Sequence, residues 1–156
     1  MTVRVQAEDF DVGAELAALT RGNPRIGGLA CFVGLVRDLH PGAADDDADA
    51  AAVRALTLEH YPGMTERQIA AIAAEARARW PLESVLVIHR HGRLEPGDRI
   101  VLVACASAHR DAAFTACQFL MDWLKTRAPF WKREETAGGD HWVEARVEDE
   151  AAARRW

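Results

Sequence analysis

Cysteine is scarce in this chain, and what there is stands apart. Cys31, Cys105 and Cys117 share no CxxC spacing, and an odd count without paired positions reads as reduced thiols of a cytosolic protein rather than a disulfide framework. Long apolar runs are missing as well. No stretch reaches transmembrane length, and the opening MTVRVQAEDF has no apolar segment of the secretory type. An excess of positive charge is also lacking. A net charge of -5 argues against a general binder of nucleic acid or of a membrane surface, since such proteins carry a basic face. The common fingerprints of phosphate, dinucleotide, serine-nucleophile and zinc-protease chemistry (the Walker loop, GxGxxG, GxSxG and HExxH) are all absent. Gly27, Gly28 and Gly34 are too sparse to cradle a phosphate by themselves.

What is present reads most simply as one domain spanning residues 1–156, with 49% hydrophobic and 28% charged residues, enough to bury a core. Val3 to Gln6 alternates as a short strand. Asp11 caps a helix running to about Thr20. Leu29 to Val36 is an apolar strand in which Gly34 marks a bulge or a close backbone approach. Residues 40–52 are acidic and small, too poor in apolar surface to order themselves, and read as a mobile loop. Their aspartates lack the glycine and distal glutamate of a calcium loop, so no metal is expected. Val53 to His60 alternates and is expected to pair with the strand before it. A turn at Tyr61-Pro62-Gly63 leads to an amphipathic helix ending near Trp80. Ser84 to His89 and Ile100 to Ala106 are apolar strands, and 130–136 and 142–146 are two further extended segments. Hairpin-length links dominate, which predicts an α+β fold with a largely antiparallel sheet and covering helices.

The segment that carries chemistry is Ser107 to Glu134. Ser107 is the expected N-cap, and Pro129 forbids a helix past about Ala128. Phe114, Cys117, Met121 and Lys125 lie three to four residues apart and share one helix face. A lysine closing an apolar stripe can simply complement the helix dipole. Together with His109, Arg110 and Lys132, and interleaved with Phe130 and Trp131, it reads instead as an anion site inside an acidic protein, and so as a site for a small ligand. Arg37 and Arg110 suit bidentate hold on a phosphate and His109 a hydrogen bond to it. A desolvated lysine near other cations can exchange protons or attack a carbonyl-like centre. The cysteines read as core hydrophobes, and Glu59, His60 and Tyr61 as a structural strand end.

The stretches LTLEHYPGMTE, RWPL, SAHRDAAF, FLMDWLKTRAPFWKRE and WVEAR resemble the large, catalytic subunit of molybdopterin synthase over about residues 28–156. The resemblance implies an α/β hammerhead-like fold and a sulfurtransferase. In that family a small ubiquitin-like sulfur-carrier subunit brings a thiocarboxylate on its C-terminal Gly-Gly tail, and two sulfurs enter cyclic pyranopterin monophosphate to make the molybdopterin dithiolene. It implies catalytic Lys125 and Lys132, and substrate contacts from Arg37, His109, Arg110, Arg133 and Glu134. Phe32 and Met121 would line the pocket, and Arg146 would act across a homodimer within a heterotetramer. No cofactor, metal, nucleic acid or membrane is implied, and the setting is cytoplasmic. Leu35 departs from a lysine found in a relative, and the loop at 43–52 is longer than usual. The competing reading is a non-catalytic scaffold whose groove captures a Gly-Gly tail.

Overall fold

The computed structural model describes residues 1–37, 53–136, 139–143 and 154–156. The acidic stretch at 40–52 and Arg146 lie outside the described residues. The described elements are β1 (Thr2–Gln6), α1 (Val12–Thr20), β2 (Gly28–Leu35), β3 (Val53–His60), α2 (Met64–Arg79), β4 (Leu82–Arg90), β5 (Gly92–Leu94), β6 (Arg99–Ser107), α3 (Arg110–Thr126), β7 (Phe130–Thr136) and β8 (Gly139–Val143). The α+β expectation holds, but the strands form two sheets instead of one. The first has the order β1-β4-β6-β2 and the second β5-β3-β7-β8. All pairings are antiparallel except β1 with β4.

Period-two alternation sorts the first sheet into two faces. Val85, Val87, Val103 and Cys105 point to one side and pack with Ile69, Ala73 and Ala76 of α2 and Ala116, Leu120 and Leu124 of α3. Leu86, Ile88, Leu102 and Ala104 point to the other, where Phe10 and the apolar side of α1 cover them. Both faces are buried, so β4 and β6 read as continuous apolar runs. In the second sheet Leu56, Leu58 and Leu94 face inward against Val36 and Ile100, which ties the two sheets together.

Local signals account for most element ends. Asp11 caps α1, its Oδ1 accepting from Ala14 N at 2.7 Å. Gly63, at φ +78°, turns the chain into α2, and its N–H donates to Glu66 Oε2 at 2.6 Å. α3 stops at Thr126, two residues before the one preceding Pro129. Its start differs from the expectation. His109, not Ser107, is the N-cap and makes no side-chain cap bond. Ser107 is fully buried at the end of β6, with its hydroxyl donating to Pro81 O at 2.8 Å. Its oxygen accepts from His109 N at 3.4 Å, ahead of the first turn of α3, and so does not cap the helix.

Strand β3 pairs with β5 and β7 rather than with β2. Its cross-strand neighbours lie far along the chain, beyond the reach of local patterning. Gly34 does sit at a register shift in the β2–β6 ladder, and a Cβ there would meet Val101 Cγ1 at 2.7 Å. Gly27 is tighter. Its N–H donates to Ser107 O, and a Cβ would lie 2.3 Å from Ala108 O, a backbone atom. That contact presses the entry of β2 against the approach to α3. Gly27→Ala should therefore lower the melting temperature by roughly 4–8 °C, the shift expected for an overpacking cost of about 2 kcal/mol in a domain of this size. An unchanged melting curve would show that the approach has slack.

Candidate functional site

The two lysines stand on different bodies. Lys125 occupies the last turn of α3, exposed, one residue beyond the buried Leu124 that fastens this turn to the first sheet. Lys132 belongs to β7 in the second sheet, directly opposite Leu58. By alternation Phe130, Lys132 and Glu134 share the inner face of that sheet with Leu56, Leu58 and His60. Lys132 Nζ lies 3.6 Å from Glu134 Oε1. Only Arg127, Ala128 and Pro129 separate α3 from β7.

Beside the lysines lies a group of rings; of these the sequence reading named Phe130 with the cations and His60 as structural, and passed over His89 and His91. His89, near the end of β4 and 8% exposed, stacks on Phe130 with ring centres 3.8 Å apart and planes 17° from parallel. His60, opposite Phe130 in the β3–β7 ladder, has its ring centre 6.1 Å from Phe130 and 4.5 Å from His91. His89 Nδ1 is 2.8 Å from Arg90 O. Burial first, and the neighbouring His60, Lys125 and His91 after it, hold the His89 imidazole down at about 4, against the raising effect of its contact with Arg90 O. His60 is lowered too, first by burial and then by His91. Lys125 thus sits close enough to act on His89, and His89 and His60 stay neutral at physiological pH.

Val36, packed against Leu56 and Leu58, delivers the exposed Arg37 beside the same inner face. Met121 lies one turn before Lys125 and is partly buried against the core. Phe32, 43% exposed, lies on the α3 side of β2, where its Cε1 would touch a Cβ at Gly34. Arg133 points to the opposite face from Lys132, with Nη1 3.0 Å from Asp140 Oδ2. His109 and Arg110 fall at the other end of α3, next to Gly28, whose Cβ would meet Arg110 Cα at 3.7 Å. Fifteen residues of helix separate Arg110 from Lys125, a rise of about 22 Å. Within one chain the lysines, Arg37 and Glu134 therefore gather at one end, while His109 and Arg110 do not join them.

The helix stripe is also split. Cys117 turns into the core, whereas Phe114 is 64% exposed. Burial pushes the Cys117 thiol up to about 12 and raises Cys105 as well, so neither is a thiolate under ordinary conditions. Cys31 departs from the core role expected of it and is exposed on β2. Among the described residues no group of histidine, cysteine or carboxylate side chains could hold a metal, and no helix is long and apolar enough to cross a membrane. One signal in the sequence marks the site directly. Of nineteen lysines and arginines only two are lysine, and both stand here.

Because His89 resists protonation in the folded state, it opposes stability as the pH falls. Above about 6.5 it is neutral in both states; from there down to about 4 the unfolded chain alone takes the proton. Urea titrations of the wild type and His89→Phe should show the wild type losing roughly 2–3 kcal/mol more than the variant between pH 7.5 and 4.5. Equal losses would place His89 in a more solvated setting.

The comparisons with known proteins agree with this architecture. The family model described as "MoaE protein" matches residues 5–127. A molybdopterin synthase catalytic subunit from Pseudomonas aeruginosa is 56% identical over 156 residues, covering 100% of this chain and 99% of the relative. A solved molybdopterin biosynthesis MoaE protein from Burkholderia ambifaria superposes with a TM-score of 0.81 at 54% identity, over 99% of this chain and 97% of its own. The crystal structure of molybdopterin synthase from Staphylococcus aureus gives a TM-score of 0.79 at 27% identity, over 90% and 96%. With a family match over most of its length and relatives alike from end to end, the chain belongs to the MoaE protein family.

Proposed function

We propose that this chain is the catalytic subunit of a molybdopterin synthase, working in the cytoplasm. It takes sulfur from the thiocarboxylated C-terminal Gly-Gly tail of a small ubiquitin-like carrier and passes it to cyclic pyranopterin monophosphate, forming the dithiolene. The observation that carries this reading is the end-to-end likeness to proteins named for that role, and the placing of Lys125, Lys132, Arg37 and Glu134 toward one end of the chain's fold supports it. A thiocarboxylate holds one sulfur, so two loaded carriers are consumed for each dithiolene, and each leaves with an ordinary carboxylate. The protein's part is to hold an anionic substrate and move protons. Lysine ammonium groups can give and take those protons at the carbon where sulfur enters. Arginine suits the substrate's phosphate. Sulfur arrives on the carrier, which fits the buried, protonated state of Cys105 and Cys117.

The distance along α3 bears on assembly. Arg110 and His109 stand about 22 Å of helix rise from Lys125, too far to touch a small substrate held by that lysine. In the homodimer expected for this family, a second copy supplies His109 and Arg110 to the first copy's lysines, and one small carrier serves each site. The non-catalytic scaffold would bind the carrier's tail without turning it over.

One mixing experiment tests these points. Lys125→Ala, incubated with thiocarboxylated carrier and the pterin precursor, should bind the carrier normally and lose dithiolene formation by at least about 100-fold, the usual contribution of a proton-transferring group. Arg110→Ala should be impaired as well. Re-equilibrated in equal amounts, the two variants should recover about a quarter of wild-type activity, because half the dimers would be mixed and each would hold one intact site. Normal turnover by Lys125→Ala would remove lysine from the mechanism. Absence of recovery on mixing would confine each site to one chain.

A further inference from the structure

We propose that His60, His89 and Phe130 form an aromatic clamp that sets the spacing between Lys125 and Lys132, making these three positioning residues for sulfur transfer. The inference deepens the proposed function and rests on it. The lysines belong to separately anchored bodies. Lys125 is carried by α3, whose Leu120 and Leu124 are sunk in the core over the first sheet. Lys132 is carried by β7, whose hydrogen-bonded neighbours β3 and β8 are all in the second. The covalent link between α3 and β7 includes Pro129 and is tied by two backbone bonds, from Arg127 N to Trp123 O and from Phe130 N to Ala128 O, each at 2.8 Å. Such a link limits how far the bodies part, and the packing of Leu56, Leu58 and Leu94 on Val36 and Ile100 ties the sheets together, which leaves small rotations at the lysine end as the remaining freedom.

The rings close that freedom. Phe130 is the first residue of β7, and its ring lies flat on His89 of the first sheet. His60, paired with Phe130 in the ladder, reaches the ring of His91, which follows directly after β4. The second sheet therefore grips the end of β4 through two ring contacts, one on each of two adjacent strands. Lys132 stands two residues beyond Phe130 on the same face, and Lys125 lies near enough to His89 to act on it electrostatically. Rotation of the second sheet that moved Lys132 relative to Lys125 would have to unstack Phe130 from His89.

Aromatic contacts of this kind are favourable beyond the area they bury, and the rings are stiff, so they transmit position well. Imidazole suits the place because a neutral ring stacks without repelling the neighbouring ammonium. His60 Nδ1 is buried with no hydrogen-bond partner among the described residues, so a phenylalanine ring can take its place without losing a hydrogen bond.

The test uses full-length variants with thiocarboxylated carrier and pterin precursor, measured by single-turnover kinetics beside the wild type. His60→Ala removes one ring contact at a half-buried position, and His89→Leu removes the stack. His60→Phe and His89→Phe keep a ring at each place. We expect the ring-deleting variants to lose on the order of tenfold in the saturated rate, with half-saturating concentrations within about twofold and carrier binding unchanged, the signature of misplacement instead of weaker binding. The ring-keeping variants should return to within about threefold of wild type. Lys125 and Lys132 are the chain's only lysines, so a short amine-reactive cross-linker read by mass spectrometry reports their spacing without catalysis. Its yield between them should fall in His60→Ala and recover in His60→Phe. If His89→Leu does not fold, His60→Ala decides alone. Wild-type rate and cross-link yield in folded His60→Ala would overturn the clamp while leaving the proposed function intact. So would a loss of rate that His60→Phe does not restore. A wild type that forms no dithiolene would overturn the proposed function, and the clamp with it.

Discussion

The contact on which the site depends is the face of Phe130 laid on His89. It joins the first residue of β7 to the end of β4, and so joins a sheet covered by helices to a smaller sheet that stands beside it. Each body has an apolar centre of its own, the larger around Val85, Val103 and Leu120 and the smaller around Leu56, Leu58 and Leu94. The two lysines are divided between them, Lys125 on α3 and Lys132 on β7. Chemistry that needs two ammonium groups at one carbon needs the bodies held in register, and stacked rings hold register better than long aliphatic side chains would.

Electrostatics explains why this junction is built from neutral groups. The chain is acidic overall, at -5, so an anionic substrate is drawn only by a local concentration of cations. Charged imidazoles behind the lysines would add repulsion within the protein. Burial prevents that by keeping His89 and His60 unprotonated. The same logic silences two of the thiols, since burial raises Cys105 and Cys117 and leaves them as packing groups. In the proposed reaction sulfur comes on a carrier and protons move through lysine, so neither buried thiol is called on.

Much of this was legible in the residues. The boundaries of β3 and β7 follow from alternation, and α1 from its aspartate cap. The end of α3 was set from outside by Pro129, whereas its start was expected at a Ser107 cap and lies two residues later at His109. Lys125 and Lys132 stood out as cations closing apolar stretches. What stayed hidden was non-local. β3 pairs with β7 some seventy residues on, and no local pattern announces that choice over pairing with β2. Ser107 resembled a cap because its type and place suited one, yet Pro81, brought close only by the folded sheet, takes its hydroxyl. His89 ended an apolar strand and His60 ended another, and only the meeting of two sheets turned those ends into a ring cluster. The separation of Arg110 from Lys125 could have been foreseen, since helix rise is fixed by residue count.

The most direct measure of the central claim is differential labelling of the two lysines. With trace acetic anhydride and mass spectrometry, the acetylation rates of Lys125 and Lys132 can be followed as the pterin precursor is titrated into the complex with unloaded carrier. If both amines face one bound substrate, their labelling should fall together, with a common midpoint, and by at least about tenfold at saturation. If either lysine kept its rate while the other was shielded, the two would not share a site, and the account would be contradicted.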